Sequence, residues 1–209
     1  MNTRQHSTAK SIARFASSAA TIACLVTLNG CAHNHADHAE ACPACSGEST
    51  KAALAPKPAS ASVDQQLMSR FEALEGEWES QDAEGNWNTA AVFSVSSNGS
   101  VVRELMFPGA PHEMTNLYHM DGTNAVVTHY CAIGNQPRMI ASEMIQTDDG
   151  PAIEFGFDSV SNLRPDHATI MGTLRVVFVD DNHIRQDWTA MTPDGETANE
   201  MTFNLRRKQ

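Results

Sequence analysis

The chain has 209 residues, five cysteines and a formal charge of −11 at pH 7. That surplus of acid argues against a nucleic-acid partner, because little basic charge is left to neutralise a phosphate backbone, and it is equally poor for adsorption to anionic lipid head groups. Cys24, Cys31, Cys42 and Cys45 all precede the linker, and only Cys131 follows it, so the C-terminal part must be held by its own core and not by disulfides.

Residues 1–30 carry Arg4, Lys10 and Arg14 and no acid. An apolar run from Phe15 to Leu28 follows, too short and too diluted by Ser and Thr to span a bilayer. It ends in Leu28-Asn29-Gly30-Cys31, which resembles the bacterial lipobox, whose cysteine is lipidated and becomes the first residue. The resemblance implies a signal peptide over 1–30 and a mature charge near −14, since three basic residues leave with the signal. It also implies a lipid anchor at Cys31 that attaches the protein to a membrane, on the periplasmic or outer side of the cell envelope, without spanning it. The alternative is an ordinary secretory signal cut elsewhere.

Residues 31–63 form a tether. Its first part, CAHNHADHAEACPACSGE, brings His33, His35, His38, Cys42 and Cys45 together, with Asp37 and Glu40 between them. Imidazole and thiolate suit Zn(II) or Cu(I), and a C-x-x-C bite lets two sulfurs grip one ion. Three other readings stay open: the segment lacks apolar periodicity, Cys42 and Cys45 can pair in an oxidising compartment, and a His-rich tail can be a spacer. The Ala, Pro and Ser of Lys51–Val63 make a linker.

The folded domain is expected over 64–209. Asp64 is placed to cap a short helix with Leu67, Met68, Phe71 and Leu74 on one face. After Gly76 the pattern changes to period two, broken at turn signals such as Ser97-Asn98-Gly99, Asp121-Gly122 and Pro193-Asp194-Gly195. Ile153, Phe155 and Phe157 share a face, as do Leu174, Val176 and Phe178, then Ile184, Gln186, Trp188 and Ala190, then Met201, Phe203 and Leu205. No second helix is long enough for a βαβ crossover, so the predicted fold is all-β, an antiparallel up-and-down barrel of eight to ten strands with a short N-terminal helix. Several inward candidates are small or flexible (Ala91, Met106, Met114, Ala125, Ala190, Met201), which leaves room for an apolar pocket.

Gly76-Glu77-Trp78, a G-x-W just after a short helix, resembles the opening of calycin barrels, the superfamily of lipocalins and fatty-acid-binding proteins. The resemblance implies that Trp78 closes the base of the barrel beneath an arginine of the last strand, Arg206 or its neighbour Arg207. The G-x-W-x-G-x-G run of haem-binding relatives is replaced here, since Glu79-Ser80-Gln81 follow Trp78. Leu117-Tyr118-His119-Met120-Asp121-Gly122 and the stretch from Val127 to Met139 are similar to a pattern of uncharacterised bacterial lipocalin-like domains, which brings no activity with it.

An Asp121-Gly122 turn would set Met114 opposite His129, Asn116 opposite Val127 and Tyr118 opposite Ala125. Asn116, Tyr118 and His129 would then give an apolar interior a few polar handles for a small apolar or amphipathic ligand. Asn135, Gln136 and Arg138 could clamp a carboxylate or carbonyl at the barrel mouth. The plainer alternatives are that the first three are satisfied core groups and that the turn amides bond their own backbone. Metal handling by the tether and acid–base catalysis by His129 and Tyr118 are the competing functional classes; no catalytic-triad order, H-E-x-x-H or phosphate loop is present in the sequence. Lipidation is directly testable: mass spectrometry should find an acylated Cys31 as residue one, and an unmodified peptide across residues 29–33 as the main species would disprove it.

Overall fold

The computed structural model describes residues 61–209, so the expectations for Cys31 and for the tether ligands His33, His35, His38, Cys42 and Cys45 lie outside the described residues. Helix α1 (Ala61–Glu72) is followed by strands β1 (Gly76–Gln81), β2 (Trp87–Ser96), β3 (Val101–Met106), β4 (Met114–Asp121), β5 (Asn124–Tyr130) and β6 (Gln136–Ala141). Then come β7 (Met144–Thr147), β8 (Gly150–Ser161), β9 (Ile170–Asp180), β10 (His183–Met191) and β11 (Thr197–Arg207). The helix begins three residues before Asp64; Ala61 is a good helix former, and the nearest breaker, Pro58, lies further upstream.

All pairings between strands are antiparallel, and β1 pairs with β11. Strands β6 and β7 both pair with β8, β6 along its second half and β7 along its first, so they act as one strand interrupted at Ser142-Glu143. The ring therefore closes as a ten-stranded up-and-down barrel. Closure removes the unpaired edges that an open meander of this length would expose.

The interior follows the period-two reading. Ala91 and Phe93, Val102 and Met106, Ala125 and Val127, Leu174 and Val176, and Ile184 and Trp188 are all buried. Helix α1 plugs one end with Leu67, Met68 and Phe71, joined by Leu74 of the turn that follows it. Phe71 stacks on Tyr118 at 4.3 Å between centroids and 18° between planes, and it meets Phe178 edge-on at 5.8 Å. Trp78 is buried beside the plug and donates its indole N–H to the Leu74 carbonyl at 2.7 Å.

Two expectations need correction. Arg207, not Arg206, covers Trp78: its guanidinium lies 4.5 Å from the indole and donates to the carbonyls of Ala73 and Glu75. Register decides this, because Trp78 pairs with Arg207 and Glu79 with Arg206, and successive strand residues point to opposite faces. Arg206 accordingly bonds Glu79 and lies over Trp87. Second, the β4–β5 hairpin closes around Gly122-Thr123, with Asp121 opposite Asn124, so Asn116 faces His129 and Tyr118 faces Val127. Gly122, at φ +66°, is the first of two loop residues, where a type II′ turn needs glycine. The shift is two residues, so every side chain stays on its expected face.

Phe71→Ala should cost about 3–5 kcal/mol in urea unfolding, because the ring joins the plug to three interior aromatics, while the β circular-dichroism signal persists. A loss below about 1 kcal/mol would show that the helix is not part of the core.

Candidate functional site

Four strands deliver polar side chains to the middle of the barrel. Glu104 comes from β3, Asn116 and Tyr118 from β4, His129 from β5, and Gln186 from β10, all buried. Alternation dictates this: each occupies an inward position on its strand, as Glu104 does between the apolar Val102 and Met106. The Glu104 carboxylate accepts three hydrogen bonds. Asn116 Nδ2 and the Tyr118 hydroxyl donate to Oε2, each at 2.7 Å, and Gln186 Nε2 donates to Oε1 at 2.8 Å. Burial pushes the Glu104 carboxyl above the usual carboxylate range, while the three donors pull it back. The Tyr118 phenol is raised well above its ordinary value by burial and by the neighbouring carboxylate.

The chain continues to His129, whose Nδ1 lies 2.7 Å from Asn116 Oδ1. Its other nitrogen, Nε2, is buried and has no hydrogen-bond partner. The ring lies 5.1 Å from Trp188. Burial lowers the pKa of His129 from 6.5 to about 4, so the imidazole is neutral at pH 7.

His129 and Trp188 belong to the wall of an apolar cavity of about 300 Å³. Four methionines complete most of the wall (Met106, Met114, Met171 and Met201), with Phe107, His112 and Phe203. Phe107 packs edge-on against Phe203 at 5.5 Å, and exposed His112 packs against Phe107. The volume falls at the lower end of small-molecule sites, and the composition of apolar walls with a sparse polar group is what such sites use.

The structure divides the six expected ligand-binding residues. Asn116, Tyr118 and His129 join in one network, of which only His129 lines the cavity. Asn135, Gln136 and Arg138 do not line it. Asn135 Nδ2 donates to the Thr169 carbonyl at 3.1 Å, and Gln136 Nε2 donates to the Gly134 carbonyl at 2.8 Å. Arg138 sits opposite Thr128 on the outer face and makes ion pairs with Asp121 and Asp158, because Pro137 and Met139 take the inward positions of β6. Glu104, Met171, His112 and Phe107 were not singled out in the sequence, whereas Phe203 was placed on one face with Met201 and Leu205. Neither a protein-family model nor a curated protein matches the chain.

In the unfolded chain His129 takes up a proton near pH 6.5, and in the fold only near pH 4, so its neutral burial costs stability as pH falls through that window. Glu104 acts in the opposite sense, because its raised carboxyl binds its proton more tightly in the fold. Urea unfolding at pH 7 and pH 4.5 should therefore show the native protein losing roughly 2–3 kcal/mol more than His129→Gln over that interval. Equal losses would mean that His129 protonates freely inside the fold.

Proposed function

We propose that this barrel is a binding module for a small apolar or amphipathic molecule, carried by a lipoprotein anchored through Cys31 to a membrane of the cell envelope. One observation carries the ligand reading: a buried imidazole nitrogen without a partner, set in an otherwise apolar wall of methionines and aromatics. Methionine suits that role, since its unbranched thioether adapts to guests of different shape. The calycin-like architecture supports it as well, because a closed barrel of this size can hold one small ligand between a plugged end and an open one. The anchor reading rests on the basic start, the short apolar run and Leu28-Asn29-Gly30-Cys31.

A neutral fluorescent probe such as N-phenyl-1-naphthylamine should brighten on binding the full chain. Met201→Trp, which fills the cavity from β11, should weaken that binding about tenfold or more while leaving the β spectrum intact. An unchanged titration in the variant would place the probe elsewhere and remove the support for this cavity as the site.

A further inference from the structure

The hydrogen-bond directions behind His129 restrict what the cavity can recognise, and this inference rests on the ligand-binding reading above. The indole N–H of Trp188 can only donate, and its partner is Gln186 Oε1 at 3.4 Å. That orients the Gln186 amide so that Nε2 faces Glu104 Oε1. On the other carboxylate oxygen, Asn116 presents Nδ2 to Glu104 and also lies 3.3 Å from the Met106 sulfur, both of them acceptors. With the NH₂ side committed there, Asn116 Oδ1 is left facing His129 Nδ1, which must carry the proton. Nε2 is therefore a bare lone pair, buried and without a hydrogen-bond partner, on a residue that contributes to the cavity wall.

We propose that the cavity is selective for apolar molecules whose single polar group is a neutral hydroxyl, an alcohol or a phenol, that donates its hydrogen bond to Nε2 of His129. A carboxylate offers only acceptors and would face a lone pair. Among the described residues, neither lysine nor arginine lines the cavity, and Arg138 is occupied on the outer face by Asp121 and Asp158. His112, the other imidazole of the wall, is exposed and stacks on Phe107. An ammonium head can donate, but it would exchange its hydration shell for one neutral acceptor among thioethers and rings, which is a poor exchange for a charge. An ether or alkane of the same length leaves Nε2 unpaired. A hydroxyl fills that position without a charge.

The experiment titrates the full chain, labelled with ¹³C at methionine methyls, with octanol, octyl methyl ether, octanoate and octylamine. Shifts at Met106, Met114, Met171 and Met201 should give octanol the tightest binding, by about tenfold over the ether and over octanoate. His129→Phe should erase the preference of octanol over the ether. In ¹⁵N-histidine spectra of the native chain, His129 should show a protonated Nδ1 and a bare Nε2 that moves when octanol is added. Octanoate or octylamine binding more tightly than octanol would overturn the proposal and leave the ligand-binding reading intact. So would a proton on Nε2, whether or not the variant folds. Failure of all four probes to shift those methyls would instead remove the ligand-binding reading itself.

Discussion

The Glu104 carboxylate is the group on which the interior of this barrel depends. Removing a carboxylate from water costs several kcal/mol even after relaxation, and a fully buried one persists only where its lone pairs are met. Three donors meet them here, two from β4 and one from β10, with β3 supplying the acid itself. β3 and β4 are neighbours in chain and sheet, whereas β10 is far along the chain and is joined to them across the barrel lumen. Loss of one donor would leave an underbonded buried carboxyl, so the network constrains how the strands sit around the lumen more tightly than apolar packing alone can.

That polar layer also divides the lumen into two unlike halves. On one side Tyr118 turns its ring to Phe71, and the plug of α1, Phe155 and Phe178 fills the space with stacked and tilted aromatics. On the other side Asn116 turns to His129, and the wall changes to methionines around open space. Tyr118 and Asn116 are two residues apart on β4, so one strand presents adjacent inward positions to a packed half and to an unpacked one. The division follows from residue choice along β4, where Met114, Asn116 and Tyr118 run in order from the cavity to the plug.

The fold was legible because closure and alternation are both written in local pattern. The Leu67, Met68, Phe71 and Leu74 stripe, the strand parities and the turn glycines all point to one architecture, and a two-residue error in the Gly122-Thr123 hairpin leaves parity intact. Half of the candidate site was legible for the same reason: Asn116, Tyr118 and His129 share parity with apolar neighbours. Glu104 was not, and β3 shows why. Val101, Arg103 and Leu105 on one face and Val102, Glu104 and Met106 on the other have the same apolar–charged–apolar pattern, so alternation within β3 alone does not say which charge goes inside. The inward reading of Met106 carried Glu104 with it by parity, and pairing fixes it between Phe93 and Asn116. Arg138 illustrates the converse: its charge suggested a ligand clamp, but its parity on β6 sends it outward to Asp121 and Asp158.

Two buried side-chain polar atoms among the described residues have no partner, His129 Nε2 and Asn135 Oδ1, and they differ in what surrounds them. Asn135 uses its amide nitrogen to tie the β5–β6 loop to the Thr169 carbonyl, so the residue has a structural task that its bare oxygen merely accompanies. His129 likewise bonds through one ring nitrogen, but its second nitrogen is unpartnered in a residue that lines a cavity. An unmet buried acceptor costs about 1–3 kcal/mol of folded-state stability. A guest that brings a donor relieves that cost on binding, whereas a guest without one leaves it in place. On the proposed reading, the same lone pair that costs the folded barrel stability would discriminate between guests of equal length. The network behind it, anchored on Glu104, fixes the tautomer, because Asn116 Oδ1 can only accept from Nδ1.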